Sequence, residues 1–169
     1  DSAQLVVEIF HSYREKLLSQ YGSAAFTRKP DHSQVTALDL AIENDVRDAL
    51  GTQFPEFGFL GEETGDHRLD SQAYWVVDPI DGTSSFIRGL PNCTNMAALI
   101  VDGEPVAAII YDFIADNLYE AYKGQGAFCN SVSLSVQERS VHDSALYING
   151  YQPVLTQWRE KIRAAELDI

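Results

Sequence analysis

The stretch Trp75-Val-Val-Asp-Pro-Ile-Asp-Gly-Thr-Ser-Ser-Phe86 decides how the rest of the chain is read. Tyr74 to Val77 is a short β-prone run, and it leads straight into Asp78, Pro79, Ile80, Asp81 and Gly82. Successive side chains of a strand alternate between faces. At the strand end Pro79 fixes one backbone angle and removes a donor, while Gly82 permits conformations that other residues avoid. Such a tip can turn Asp78 and Asp81 toward one point. Two unpaired carboxylates brought close repel, and one pKa rises. A hard divalent cation removes that penalty, because Mg²⁺ takes oxygen ligands and keeps several waters. The main-chain carbonyl of Ile80 is a further oxygen between the two acids. A helix opening at Gly82, Thr83 and Ser84 presents unpaired amides, which suit phosphate. One segment thus offers carboxylates for a cation, and amides and hydroxyls for an anion. That is the chemistry of a metal-assisted phosphate-ester site.

Upstream lie two more acidic groups. Gly61-Glu62-Glu63-Thr64 follows the β-prone run Phe57-Gly-Phe-Leu60, so it too sits at a strand end. Asp39 lies one turn inside a helix predicted from Thr36, where Thr36-Ala-Leu-Asp39 has the shape of a capping box with Asp in the last position. Leu38, Ile42, Val46, Ala49 and Leu50 form the inward stripe of that helix, and Gly51 is its expected stop. An earlier amphipathic helix is predicted over residues 3–20, ending near Gly22, and residues 24–35 read as a strand tip or loop. Taken singly, each acidic group is an ordinary turn former or helix-start charge. Jointly they carry more weight, because each follows an apolar run or opens a helix.

Downstream the texture is all-β. Met96–Val101 and Val106–Tyr111 are joined by Asp102-Gly103-Glu104-Pro105, a hairpin signal. Leu118–Tyr122 follows a second turn at Asp116-Asn117, and Gly124-Gln125-Gly126 turns into Ala127-Phe128-Cys129. Sequential strands with short turns predict an antiparallel meander, with one more strand at 145–149 and a last helix at 153–166. Helices first and then an antiparallel sheet give an α+β architecture, layered helices on a largely antiparallel sheet, in a single domain over residues 1–169.

Length and composition agree with this. A chain of 169 residues can bury one core, and 45% hydrophobic against 22% charged residues excludes disorder. A net charge of −13 argues against nucleic acid or an anionic membrane as partner. No apolar run is long enough to span a bilayer, so a soluble protein is expected. No leader precedes Asp1, and the missing initiator Met suggests an excerpt or a processed chain. Cys93 and Cys129 cannot build a disulfide framework and are expected as two buried thiols in a reducing cytosol. His11 is placed on the first helix, and His32, His67 and His142 in exposed loops, without zinc-ligand spacing. Lys29 reads as a surface lysine rather than a group of the metal loop. Ser84 and Ser85 read as phosphate contacts or helix-start polar residues, and Trp75 and Trp158 as packing residues.

With these residues in view, the chain resembles the inositol monophosphatase family of metal-dependent, lithium-sensitive phosphatases. Asp78-Pro-Ile-Asp-Gly-Thr83 matches the family's signature tract, and Gly61-Glu62-Glu63 the acidic pair before it. Val35-Thr36-Ala-Leu-Asp39 matches its V-T-x-x-D element, and Lys123 to Asn130 is similar to its glycine-rich hairpin. The resemblance implies that Glu62, Asp78 and the Ile80 carbonyl hold a first metal, and Asp78 and Asp81 a second. Glu62 and Thr83 would orient the attacking water, with Asp81 also in the catalytic set. Gly82 and Thr83 amides, with Ser84, would take the phosphate. Asp39 and Glu63 would shape the site through a third, weaker metal. It further implies Mg²⁺ as cofactor, two or three ions, and hydrolysis by in-line attack of metal-activated water on phosphorus. A small phosphorylated polyol or sugar would be the substrate of a cytoplasmic homodimer. Inositol 1-phosphate is named first. Histidinol phosphate, fructose 1,6-bisphosphate and adenosine 3′,5′-bisphosphate are alternatives, and Ser85-Phe86-Ile87 is mildly similar to the histidinol-phosphate type. A non-catalytic, partner-binding protein on the same fold is the reading from another class. The sequence departs from the family in two places. Ser85 stands where Asn is frequent, and no Trp-Asp motif with a following Ala-Ala-Gly is present. Asp168 lacks that context. An incomplete second metal site is therefore expected, together with the absence of the family's C-terminal α/β domain.

Overall fold

The structure is a computed structural model that describes residues 1–67 and 71–136. The chain divides into two compact units, Asp1–Leu134 and Ser135–Ile169. The strand expected at 145–149, the helix expected at 153–166, His142, Trp158 and Asp168 lie outside the described residues.

Helix α1 spans Ser2–Gln20 and is capped by Asp1, whose Oδ1 accepts the Gln4 amide at 2.9 Å. Val6, Phe10, Tyr13 and Leu17 recur at three- and four-residue spacing and are buried. Strands β1 (Phe26–Arg28) and β2 (Gln34–Thr36) then form an antiparallel hairpin where a strand tip or loop was expected. Its outer strand is exposed throughout, so no alternation of apolar and polar residues marks it. Helix α2 spans Ala37–Gln53 and opens with the expected capping box at Thr36 and Asp39. It runs through Gly51, which is not its stop. A glycine inside a helix costs about 1 kcal/mol relative to alanine, too little to end one already packed along its length. The chain leaves the helix at Phe54, ahead of Pro55, where a proline disfavours helical geometry in the residue before it.

The remaining strands are β3 (Gly58–Gly61), β4 (Gly65–His67), β5 (Ala73–Asp81), β6 (Thr94–Val101), β7 (Glu104–Asp112), β8 (Asn117–Tyr122), β9 (Gly126–Cys129) and β10 (Val132–Leu134). Helix α3 (Thr83–Arg88) separates β5 from β6. They form one sheet in the order β10-β9-β8-β7-β6-β5-β3-β4. From β6 to β9 it is the expected antiparallel meander, extended by β5 on one side and β10 on the other, both antiparallel to their neighbours there. The turn between β6 and β7 uses Asp102 at φ 52° and Gly103 at φ 79°, as a two-residue hairpin requires. The parallel pair is β3 with β5. It arises because the chain first pairs β4 on the outer edge of β3 and then returns to lay β5 on the inner edge.

Helices α1 and α2 pack together, α2 against β5 and α1 against β7. Their apolar stripes meet Phe59, Trp75, Val77, Ala97, Ile109 and Tyr111, all buried. Trp75 is thus a packing residue. His67 lies in β4 rather than in a loop. Cys93 is buried as expected, but Cys129, in β9, is only half-buried. No described helix is long and apolar enough to cross a membrane.

Candidate metal and phosphate site

The site is organised by one face of α2. Thr36, Asp39 and Glu43 are spaced by three and four residues, which stacks them on the same side of a helix. All three are buried. Asp39 Oδ2 accepts the Thr36 amide at 2.8 Å and the Thr36 hydroxyl at 2.6 Å. Asp39 Oδ1 lies 3.3 Å from Thr83 Oγ1, which is also 2.9 Å from the Ile80 carbonyl. Both oxygens of Asp39 therefore have protein partners, and one of them ties α2 to Thr83. Burial pushes its carboxyl up, against the pull of the Thr36 hydrogen bonds.

Strand β5 ends in a bulge. Asp78 pairs with Met96 and Asp81 with Thr94, so Pro79 and Ile80 together face Asn95 alone. Asn95 is fully buried and donates its Nδ2 to the Pro79 carbonyl from behind. The extra residue turns Asp78 and Asp81 into the same cleft. Among the described residues no N–H or hydroxyl donates to the buried Asp78 Oδ1. Burial pushes the Asp78 carboxyl up to about 8, and the neighbouring Glu62, Asp81 and Asp39 add to the shift. Gly82 follows at φ 78°, and a Cβ there would lie 2.3 Å from the Asn92 carbonyl oxygen, so only glycine fits. The Ser85 and Phe86 amides donate to the Gly82 carbonyl, at 2.8 and 3.0 Å. The amides of Thr83 and Ser84 lie ahead of those first bonds. Arg88 reaches back from the last turn of α3 to the Ser84 carbonyl at 2.7 Å, to the Ser84 hydroxyl, and to Gln34 at 3.2 Å.

Glu62 and Glu63 sit in the turn between β3 and β4. The Glu62 amide donates to Val77 O at 3.1 Å, which ties the turn to β5. The next two amides are held from below: Glu43 Oε2 accepts Glu63 N at 2.8 Å, and Glu43 Oε1 accepts Thr64 N at 2.6 Å. A Cβ on Gly61 would lie 2.1 Å from Glu43 Oε1, so the glycine makes room for this carboxylate. Lys29, at the tip of the β1–β2 hairpin, is not a free surface lysine. Its Nζ lies 2.9 Å from Glu63 Oε1 and 3.4 Å from Glu62 Oε1. The Glu63 side chain is only 4% exposed. Burial pushes its carboxyl up, against the pull of the Lys29 ammonium.

The result is a cleft of about 400 Å³. Glu62, Asp78, Ile80, Asp81, Gly82, Thr83 and Ser84 all line it. Asp39 and Glu63 lie behind its walls, with both oxygens of the first turned away to protein partners. Sequence reasoning missed His32, Ser33 and Gln34, which form the hairpin rim of the cleft, and Glu43. The available signal for Glu43 was an acid inside the apolar stripe of α2, between Ile42 and Val46. Among the described residues no group of three or more His, Cys, Asp and Glu side chains is already gathered tightly enough to hold a cation. The donor set nevertheless fits a hard divalent ion. It consists of carboxylates and a main-chain carbonyl, and Asp78 supplies a buried oxygen that receives no N–H or hydroxyl hydrogen bond among the described residues.

Comparison with known proteins points the same way. The model of the inositol monophosphatase family matches residues 2–163. A histidinol-phosphatase of Mycobacterium tuberculosis is 41% identical over 102 residues, 60% of this chain and 39% of that protein. Inositol monophosphatase 2 of Saccharomyces cerevisiae is 34% identical over 141 residues, 79% of this chain and 48% of that protein. The chain thus spans about half the length of the curated relatives it matches or less. The crystal structure of the extragenic suppressor protein SuhB from Bartonella henselae superposes with a TM-score of 0.82 at 28% identity, covering 96% of this chain and 65% of that one. A structure of an inositol monophosphatase/NADP phosphatase, solved with Mg²⁺ and phosphate, superposes with a TM-score of 0.68 at 26% identity, over 78% of this chain and 51% of that one.

Proposed function

The chain belongs to the inositol monophosphatase family, and from that premise we propose that the whole protein is a Mg²⁺-dependent phosphate monoester hydrolase. The observation that carries the proposal is the buried oxygen of Asp78, which receives no N–H or hydroxyl hydrogen bond among the described residues, in a cleft it shares with Glu62 and Asp81. Carboxylates crowded this way repel one another unless protons or cations stand between them. Asp78, Asp81, Glu62 and the Ile80 carbonyl would hold two ions, with Asp39 and Glu63 shaping the site for a third, weaker one. Ile80 O already accepts from Thr83, and a carbonyl oxygen has a second lone pair to offer. When bound, Mg²⁺ supplies the positive charge that offsets the phosphate oxygens and eases deprotonation of water.

The chain's own residues do the rest. Thr83 has one hydroxyl hydrogen, directed to Ile80 O or Asp39 Oδ1. Its oxygen is then an acceptor toward the cleft, and with the Glu62 carboxylate it can orient a water for attack. The amides of Gly82 and Thr83 and the hydroxyl of Ser84 would receive phosphate oxygens. Arg88 fixes Ser84 from the far side. The substrate is a small phosphorylated polyol or sugar. Inositol 1-phosphate is the first choice, and histidinol phosphate is the second, favoured by the 41% identity to a histidinol-phosphatase. A cytoplasmic homodimer belongs to the same reading.

The test is release of inorganic phosphate from both esters by the full-length protein, with and without Mg²⁺. Mg²⁺-dependent turnover of one of them is expected. Absence of turnover on these two, and also on fructose 1,6-bisphosphate and adenosine 3′,5′-bisphosphate, would overturn the proposal.

A further inference from the structure

Glu43 is an acid with no exposed surface, placed in the apolar stripe of α2. No cation pairs with it among the described residues. Burying such a group is costly unless its oxygens are satisfied. Here each oxygen receives one main-chain N–H, from the consecutive residues Glu63 and Thr64. Gly61 leaves the space the carboxylate occupies. An apolar side chain at position 43 would leave those two amides without acceptors. The neighbouring Asp39, about 6 Å away along the helix axis, grips Thr83 on the opposite wall of the cleft. A single rigid helix face therefore holds both walls.

We infer that Glu43 is a positioning residue, whose buried carboxylate sets where the Glu62–Glu63 turn stands relative to Asp78, without touching cation or substrate. The inference rests on the reading of the cleft as a cation and phosphate site. Rigid support behind a ligand of this kind commonly changes metal affinity about 10- to 100-fold.

The experiment uses the full-length protein with Glu43→Gln, which keeps the size but offers one oxygen to two amides. Ile42→Val, at a fully buried neighbour, serves as a control that loosens the same helix without touching the turn. Two quantities are read: hydrogen exchange at the Glu63 and Thr64 amides in metal-free protein, and the Mg²⁺ concentration giving half of the maximal thermal shift. In Glu43→Gln, exchange at those amides is expected to rise about 10-fold or more over the control, and the Mg²⁺ midpoint to rise about 10-fold. Equal exchange in the two variants overturns the inference, as does raised exchange with an unchanged Mg²⁺ midpoint. If Glu43→Gln fails to fold, wild-type exchange decides. The Glu63 and Thr64 amides are expected to be as slow as those of Ile42 and Val46, and fast exchange there overturns the inference. A wild-type protein with neither a Mg²⁺ response nor phosphate release overturns the functional reading instead, while the metal-free exchange still judges Glu43.

Discussion

Asp39 and Glu43 stand one turn apart on α2 and hold opposite walls of one cleft, the first at 3.3 Å from Thr83 Oγ1, the second at 2.8 and 2.6 Å from the Glu63 and Thr64 amides. The cleft therefore has a hard floor and acidic walls. On one side Lys29 pairs with Glu62 and Glu63, while Asp78 Oδ1 receives no N–H or hydroxyl hydrogen bond among the described residues.

Replacing Asp78 by Asn should separate function from stability. The amide is a poorer cation ligand, so phosphate release should fall by about 10²-fold or more. The melting temperature without metal, taken at pH 8, should stay level or rise, because the neighbouring acids Glu62 and Asp81 lose a competitor. Kinetics and thermal melts on the same preparation check both parts. Near-normal activity would remove Asp78 from the cation site.

The pH dependence of stability follows from the same group. The folded-state carboxyl of Asp78 is held at about 8, above its ordinary 3.8. Folding therefore favours its protonated form. The penalty is absent below the ordinary value, grows as pH rises through it, and is complete once pH passes the folded value. Asp39 and Glu63 are raised as well and act in the same sense. Metal-free protein should lose several degrees of melting temperature between about pH 5 and pH 8, and saturating Mg²⁺ should flatten that slope. A metal-free melting temperature that climbs across this range would contradict the raised carboxyls.

Lys29 pairs with Glu62 and Glu63, so on the proposed function it competes with a cation for them. Lys29→Met removes that competitor and exposes the two acids to each other. The expected outcome is a lower melting temperature without metal, by about 2 °C or more, and a Mg²⁺ midpoint reduced a few-fold. Thermal-shift titration with Mg²⁺ measures both. An unchanged midpoint would show that Lys29 leaves the site before cations reach it.

Gly82→Ala tests the backbone of the phosphate segment. The positive φ and the Asn92 carbonyl oxygen at 2.3 Å leave no room for a Cβ. The substitution should cost about 2 kcal/mol or more, seen as a reduced urea midpoint at unchanged slope. A variant as stable as wild type would mean that the turn at Gly82 yields easily.

Parts of this molecule were legible from neighbours alone. The stripe of α1, the capping box at Thr36 and Asp39, and the Asp102-Gly103 turn each depend on residues a few positions apart. The succession Asp39, Glu62-Glu63, Asp78 to Thr83 was likewise visible as acids at strand ends and at a helix start, and the structure draws Glu62, Asp78, Asp81 and Thr83 into one cleft. Other features were hidden because their partners are far away along the chain. Lys29 reads as an ordinary surface cation until the hairpin folds over residues 34 positions later. Glu43 reads as a misplaced acid until a turn 20 positions later brings it two amides.

By itself, the sequence determined the local elements and the inventory of oxygen donors, since hydrogen-bonded caps, turns and periodic stripes are set by residues in immediate succession. Only the tertiary structure decided which of those donors line the cleft and which are turned to protein partners. A carboxylate does one or the other according to which buried N–H groups stand within 3 Å of it, and in this chain that is settled by how α2 packs beneath β3 and β5.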